Sequence, residues 1–171
     1  MALIVQKYGG TSVGSPERIK NVAKRVARWK AQGHDVVVVV SAISGETNRL
    51  IALAKEIQSQ PDPRELDVMV STGEQVTIAL LSMALIEIGL QARSYTGGQV
   101  RILTDNAYTK ARILSIDEHN MRADLKAGRL QGTDSRLAPG TRTLDEDVDL
   151  AHAVLHCATR GRLGSKLGSE R

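Results

Sequence analysis

Phenylalanine is absent from the 171 residues, and aromatic residues of all kinds make up only 2%. The core must therefore be built from Val, Ile, Leu, Ala and Met. Readers of single-stranded nucleic acid stack bases on aromatic platforms, and this composition offers little material for them. A long basic run is also missing. The net charge of +4 comes from acidic and basic residues that are mostly interspersed, unlike the clustered footprint of a nucleic-acid binder. No nucleic-acid partner is expected, although mild positive charge suits an anionic small molecule. A single cysteine, Cys157, excludes an intrachain disulfide and fits a reducing, cytoplasmic setting. No apolar run approaches the roughly 20 residues of a membrane span. The opening Met1 to Lys7 carries no basic stretch ahead of a signal-type apolar core, so no membrane association is expected.

What remains is ordinary for a folded domain: 42% hydrophobic and 25% charged residues. Ala2 to Gln6 reads as a short buried strand that stops at Lys7. Glycines follow at positions 9, 10 and 14. Ser15 is placed as an N-cap and Pro16 as the first helical residue. Ile19, Val22, Ala23, Val26 and Ala27 recur at helical spacing, and Gly33 is placed to end that helix. Val36 to Val40 is an unbroken β-branched run, the mark of a central strand covered on both faces. The opening is therefore a βαβ unit with parallel strands.

Ser41 to Thr47 reads as a polar turn at the carboxyl end of the second strand, where open α/β sheets bind ligands. Leu50 to Ile57 reads as a helix and Gln58 to Pro63 as a loop. Glu65 to Ile88 is helical again, with a break near Ser71-Thr72-Gly73 and Gly89 as its C-cap. Gln91 to Tyr95 and Arg101 to Thr104 read as strands around a Gly97-Gly98 turn, and Ala111 to Ile116 as a further strand. Asp117 to Ala127 reads as a helix stopped by Gly128. Residues 130–143 show no clear periodicity. Leu144 to Ala158 could form an amphipathic helix, and Gly161 to Ser169 is of low complexity.

Three constellations carry possible chemistry. In Lys7-Tyr8-Gly9-Gly10-Thr11-Ser12-Val13 the lysine ends a strand, where its ammonium can lie against phosphate oxygens. Gly9 and Gly10 lack Cβ, so their N–H groups can approach an anion closely, with a helix start behind them. The lysine precedes the glycines, so this is not a Walker A loop. Read alone, a Gly-Gly turn after a strand is more often simply a turn; the lysine, the hydroxyls and the helix start raise the functional reading. Ser41-Ala42-Ile43-Ser44-Gly45-Glu46-Thr47-Asn48-Arg49-Leu50 gathers hydroxyls and an amide beyond a buried strand. It could bind a polar substrate or a phosphoryl group, or could cap the next helix through Thr47. In Ser71-Thr72-Gly73-Glu74-Gln75 a helix break could aim Glu74 at a substrate ammonium. The plain alternative is a solvated glutamate in a first helical turn.

Taken together, and in this order and spacing, the three segments resemble aspartate kinases of the amino-acid-kinase family. Arg64-Glu65-Leu66-Asp67 and Ile102-Leu103-Thr104-Asp105 match as well, and the resemblance spans residues 1–129. It implies an α/β fold: a three-layer αβα sandwich around a mostly parallel sheet. It also implies transfer of the ATP γ-phosphoryl group to the side-chain carboxylate of L-aspartate, with Mg²⁺ bridging the phosphates. The product, 4-phospho-L-aspartate, opens the route to lysine, threonine, methionine and diaminopimelate. By position in the family, Lys7, Tyr8, Gly9 and Gly10 bind ATP, Lys7 is catalytic, and Ser41 belongs to the phosphate-proximal shell. Thr47 and Glu74 bind aspartate, with Glu74 facing its amino group. No residue is assigned as a metal ligand. A homo-oligomer is implied for full-length members.

Beyond residue 129 the resemblance stops. Gln131-Gly132 is at most a remnant of a family motif. The family's following Thr-Thr-Leu-Gly-Arg-Gly-Gly-Ser-Asp segment is not found, and Asp134 receives no role. Two regions are therefore expected: residues 1–129 as the N-terminal part of a kinase catalytic domain, and residues 130–171 as an atypical tail, of the kind a frameshift or a misplaced gene end produces. Such a chain is expected to show little or no turnover. Two other readings stand beside this one: a kinase for glutamate, acetylglutamate or UMP, and a non-catalytic partner docking on a full-length kinase through an exposed sheet edge.

Overall fold

The computed structural model describes residues 2–117 and 119–128, together with the backbone of residues 130–134. The expected helix over Leu144 to Ala158 and the low-complexity stretch after it lie outside the described residues. Strand β1 (Leu3–Tyr8) leads through a loop into helix α1 (Pro16–Ala31), followed by strand β2 (Asp35–Val40). β1 and β2 pair in parallel, with Lys7 opposite Val39 and Tyr8 opposite Val40, as the βαβ reading requires. Ser15 caps α1, its hydroxyl accepting from the Arg18 N–H at 3.3 Å, and Pro16 occupies the start of the helix. Gly33, Gly89 and Gly128 follow helix ends with positive φ, as their sequence positions suggested.

Helix α2 (Glu46–Ile57) and helix α3 (Pro63–Glu87) come next. Strand β3 (Ala92–Tyr95) follows, then strands β4 (Ile102–Thr104) and β5 (Ile113–Ile116), helix α4 (His119–Lys126) and strand β6 (Leu130–Asp134). The main sheet has the order β1-β2-β6-β3, with every pairing parallel. β4 and β5 form a separate antiparallel pair. The Gly97-Gly98 turn thus separates β3 from β4 without pairing them.

Strand β2 decides the layering, because successive side chains point to opposite faces of a sheet. Val36, Val38 and Val40 join Val13, Ile19, Val22, Val26, Ile78, Leu81 and Leu85 in one core, under α1 and α3. Val37 and Val39 join Val5, Tyr95, Val100, Met121 and Leu125 in a second core, on the α4 side. The result is the expected αβα arrangement, with a continuous valine run because both faces are covered.

Four details depart from expectation. Pro63 belongs to α3 rather than to the preceding loop. Asp62 caps that helix, accepting from the N–H groups of Arg64 and Glu65, and proline is harmless at a first helical position. α3 runs unbroken through Ser71-Thr72-Gly73. The glycine there serves close packing rather than a kink. α3 is also long and apolar enough to cross a membrane by length and composition alone. Its Ile78, Leu81 and Leu85 are buried in the core shared with α1 and β2, while Val76, Leu80, Met83 and Ile86 are exposed. Finally, β6 starts at the expected boundary after residue 129 and lies between β2 and β3, so the sheet runs through Asp134. Leu-Gln-Gly-Thr-Asp is a weak strand former by composition. Neighbours that pair along both of its edges override that preference.

Candidate active site at the carboxyl ends of β1 and β2

Parallel neighbours β1 and β2 end side by side, so the residues after them share one rim of the sheet. Lys7 and Tyr8 close β1, both half-buried. Gly9 and Gly10 follow, and the Ser12 N–H turns back to the Gly9 carbonyl at 2.9 Å. Ser41 leaves β2 next to them, its N–H donating to the Tyr8 carbonyl at 3.1 Å. A Cβ on Gly10 would lie 2.7 Å from the Ala42 carbonyl oxygen and 3.3 Å from the Ser44 nitrogen. No side chain fits that gap, so only glycine lets the two loops touch.

The Tyr8 hydroxyl donates to the Gln6 side chain at 2.9 Å. Burial pushes the Tyr8 phenol above its ordinary pKa, opposed in part by the positive charge of Arg25. The start of α1 is already engaged. Arg18 offers its N–H to Ser15, and its guanidinium holds the Thr11 carbonyl. The Glu17 carboxyl is held below its usual range by its own backbone N–H and by the Ser15 hydroxyl. The loop before α1 is therefore tied down from the first turn of the helix. Arg18 escaped the sequence reading because its spacing from Thr11 carries no motif of its own.

Helix α2 begins at Glu46, with Gly45 at φ +87° in the capping position. Thr47 is thus not the N-cap; it sits half-buried in the first turn. The glycine's left-handed backbone turns the chain directly into the helix, and the Glu46 N–H closes on the Ile43 carbonyl. Glu46 instead forms an ion pair with Arg49 at 2.7 Å, which holds its carboxyl below the usual range.

Glu74 is neither solvated nor in a first turn. It lies mid-helix and is 7% exposed. One carboxylate oxygen accepts from the Ala42 N–H across 3.4 Å. Burying a carboxylate is costly unless it is partnered, so a buried acid at the rim of a sheet marks a functional candidate. Gly73 makes the approach possible: a Cβ there would lie 3.0 Å from the Ala42 Cβ and 3.5 Å from Glu46 Cγ. The structure thus brings Lys7, Tyr8, Gly9, Gly10, Ser41 and Glu74 to one rim around Ala42, with Thr47 in the helix turn that packs on Gly73. Ala42, buried at 5% exposure, carries no signal of its own in the sequence.

Such a rim offers backbone N–H groups and one ammonium for an anion, with a buried carboxylate nearby for a cation. Among the described residues no group of three His, Cys, Asp or Glu side chains could hold a metal ion. Comparison with known proteins identifies the family. The sequence profile of the amino acid kinase family matches residues 2–133. An aspartokinase of Pseudomonas aeruginosa is 73% identical over 130 residues, 76% of this chain and 32% of that protein. An aspartokinase of Bacillus sp. strain MGA3 is 54% identical over 165 residues, 96% of this chain and 37% of that protein, so its likeness runs past residue 129. The crystal structure of E. coli aspartokinase III in complex with aspartate and ADP superposes with a TM-score of 0.68, at 22% identity, covering 91% of this chain and 46% of that one. The chain spans about a third of the length of the curated relatives it matches. With its profile match, its parallel sheet and its glycine-bearing rim, this chain belongs to the amino acid kinase family.

Proposed function

We propose that this chain carries the phosphate-binding and amino-acid-binding rim of an aspartate kinase. The observation that carries the reading is the meeting of the Lys7–Gly10 loop and the buried Glu74 carboxylate on the two sides of Ala42. A phosphoryl-transfer enzyme needs both features within reach of each other, because its work is positioning and charge neutralisation. The reaction moves the γ-phosphoryl group of ATP onto a side-chain carboxylate oxygen of L-aspartate. One P–O bond forms, the bond to the β-phosphate bridging oxygen breaks, and ADP leaves. Lys7 and the N–H groups of Gly9 and Gly10, with Tyr8 beside them, hold the phosphates, and Lys7 offsets charge on the transferring group. Ser41 lies in the same shell. Glu74 faces the substrate ammonium, and Thr47 flanks the amino acid. The relatives named as aspartokinases and the neighbour crystallised with aspartate and ADP support this choice of substrates.

Mg²⁺ fits the same rim as a companion of the nucleotide. A Cβ at Gly9 would meet nothing within 4 Å, which leaves that side of the loop room for phosphate oxygens, and Mg²⁺ is commonly held by substrate phosphates with few protein ligands. When bound it would supply charge neutralisation between the phosphates. We also propose a cytoplasmic setting and, for full-length members, a homo-oligomer. Residues 1–129 are proposed as part of the kinase domain and residues 130–171 as an atypical tail, with β6 contributing its backbone to the kinase sheet.

The test is binding and turnover by the whole chain. ADP and L-aspartate should each bind in calorimetry, aspartate in preference to glutamate, acetylglutamate or UMP. A coupled assay with ATP, Mg²⁺ and aspartate should show little or no turnover. Absence of binding by both ligands, or preference for another acceptor, would remove the reading. Robust turnover would overturn the expected inactivity alone.

A further inference from the structure

The rim is assembled around one small residue. Ala42 presents its carbonyl to Gly10, its methyl group to Gly73 and its N–H to Glu74. On the carbonyl side the gap excludes any Cβ at Gly10. On the methyl side a Cβ at Gly73 would sit 3.0 Å from the Ala42 Cβ, closer than carbon atoms pack without something shifting. The helix carrying Glu74 therefore stands off the Ala42 backbone by the thickness of one methyl group, and that backbone in turn rests on Gly10. Buried polar geometry of this kind depends on packing, because close-packed interiors transmit small displacements.

We infer that Ala42 and Gly73 are positioning residues: their contact sets how far the Glu74 carboxylate stands from the Gly9-Gly10 loop. The inference rests on the proposed reading of the rim. A second methyl group at this contact pushes α3 outward and carries Glu74 away from the acceptor. The phosphate loop, which touches the other side of Ala42, stays in place. Moving the methyl group from residue 42 to residue 73 keeps the total thickness and restores the reach.

The experiment compares the whole chain with Gly73→Ala and with the double variant Ala42→Gly/Gly73→Ala. Calorimetry gives separate affinities for L-aspartate and ADP, and thermal unfolding reports folding. Gly73→Ala should weaken L-aspartate binding by roughly tenfold, as expected when a binding group is displaced by a fraction of an ångström. ADP affinity should change by less than about threefold, and the double variant should return L-aspartate affinity most of the way, as coupled neighbours do. A merely structural role would lower both affinities together, so that outcome overturns the inference. So does a folded Gly73→Ala with unchanged aspartate binding, or a double variant that binds aspartate no better than the single. If Gly73→Ala does not fold, the double variant decides, and its failure to fold or to bind aspartate also counts against the inference. Failure of the unaltered chain to bind either ligand removes the proposed function itself, and with it this inference. Normal binding by the unaltered chain with no aspartate-selective loss removes the inference alone.

Discussion

The β1–α1–β2 unit with α3 and the β4–β5 pair show opposite ways of holding a chain in place. In the first, side chains interlock on a continuous core: Val36, Val38, Val26 and Leu81 are at most 1% exposed. In the second, Leu103 and Leu114 are exposed, and the short strands shift register at Leu103/Thr104. The connection between β4 and β5 is tied by polar contacts instead. The Thr109 N–H donates to Asp67 on α3 at 2.8 Å, and Asp105 accepts from the N–H groups of Ala107 and Arg112. The candidate site lies on the first region and on the α2 turn that packs on Gly73. Precision at the rim is thus inherited from a core that resists deformation, while the hairpin can vary at little cost to it.

The sharpest way to break this comparison is to remove one leucine from each region. Leu81→Ala should destabilise the chain by about 2–5 kcal/mol in urea unfolding. Leu114→Ala, at an exposed position, should stay within about 0.5 kcal/mol. Equal losses would show that the hairpin shares the cooperative core. Next in size is the helix cap. Ser15→Ala removes the acceptor for the Arg18 N–H and should cost about 1 kcal/mol, seen as a lower unfolding midpoint.

A smaller effect is expected at the hairpin. Asp67→Ala should speed amide exchange at Thr109 while global stability moves by less than about 0.5 kcal/mol. Unchanged exchange there would mean that the contact does not hold the connection. The last prediction concerns pH. Burial raises the folded-state pKa of Tyr8, so the neutral phenol is favoured by folding. Its contribution is fully present below the unfolded value of about 10 and is lost as pH rises through the folded value. Tyr8→Phe should therefore flatten part of the stability decline above pH 10, read from unfolding midpoints across alkaline buffers.

The two regions also differ in how much of them the sequence reveals. Val36 to Val40, Ser15-Pro16 and the helix-ending glycines announce their structure because each obeys a local rule: a buried run, a cap, a left-handed turn. The rim residues Lys7 to Gly10 and Glu74 stand out through linked motifs. What stays hidden is non-local. Gly73 looks like a helix breaker until Ala42 is found against it. Thr47 looks like a cap until the backbone of Gly45 takes that position. β6 carries no strand signal of its own, since its place is set by two partners distant in the chain.

That last strand has a consequence for the order in which the fold can be built. β2 pairs with β1 from nearby sequence, but its other edge waits for Gln131 to Asp134. During synthesis from the N-terminus, α1, α2 and α3 can all be made while that edge remains open. Bringing β6 between β2 and β3 is then a late, long-range loop closure, the kind of step that slows folding. Until it happens, an unpaired valine-rich edge is exposed to other chains. The nascent chain is thus most vulnerable to mispairing before residue 134 arrives, and the strand with the weakest sequence signal ends that exposure.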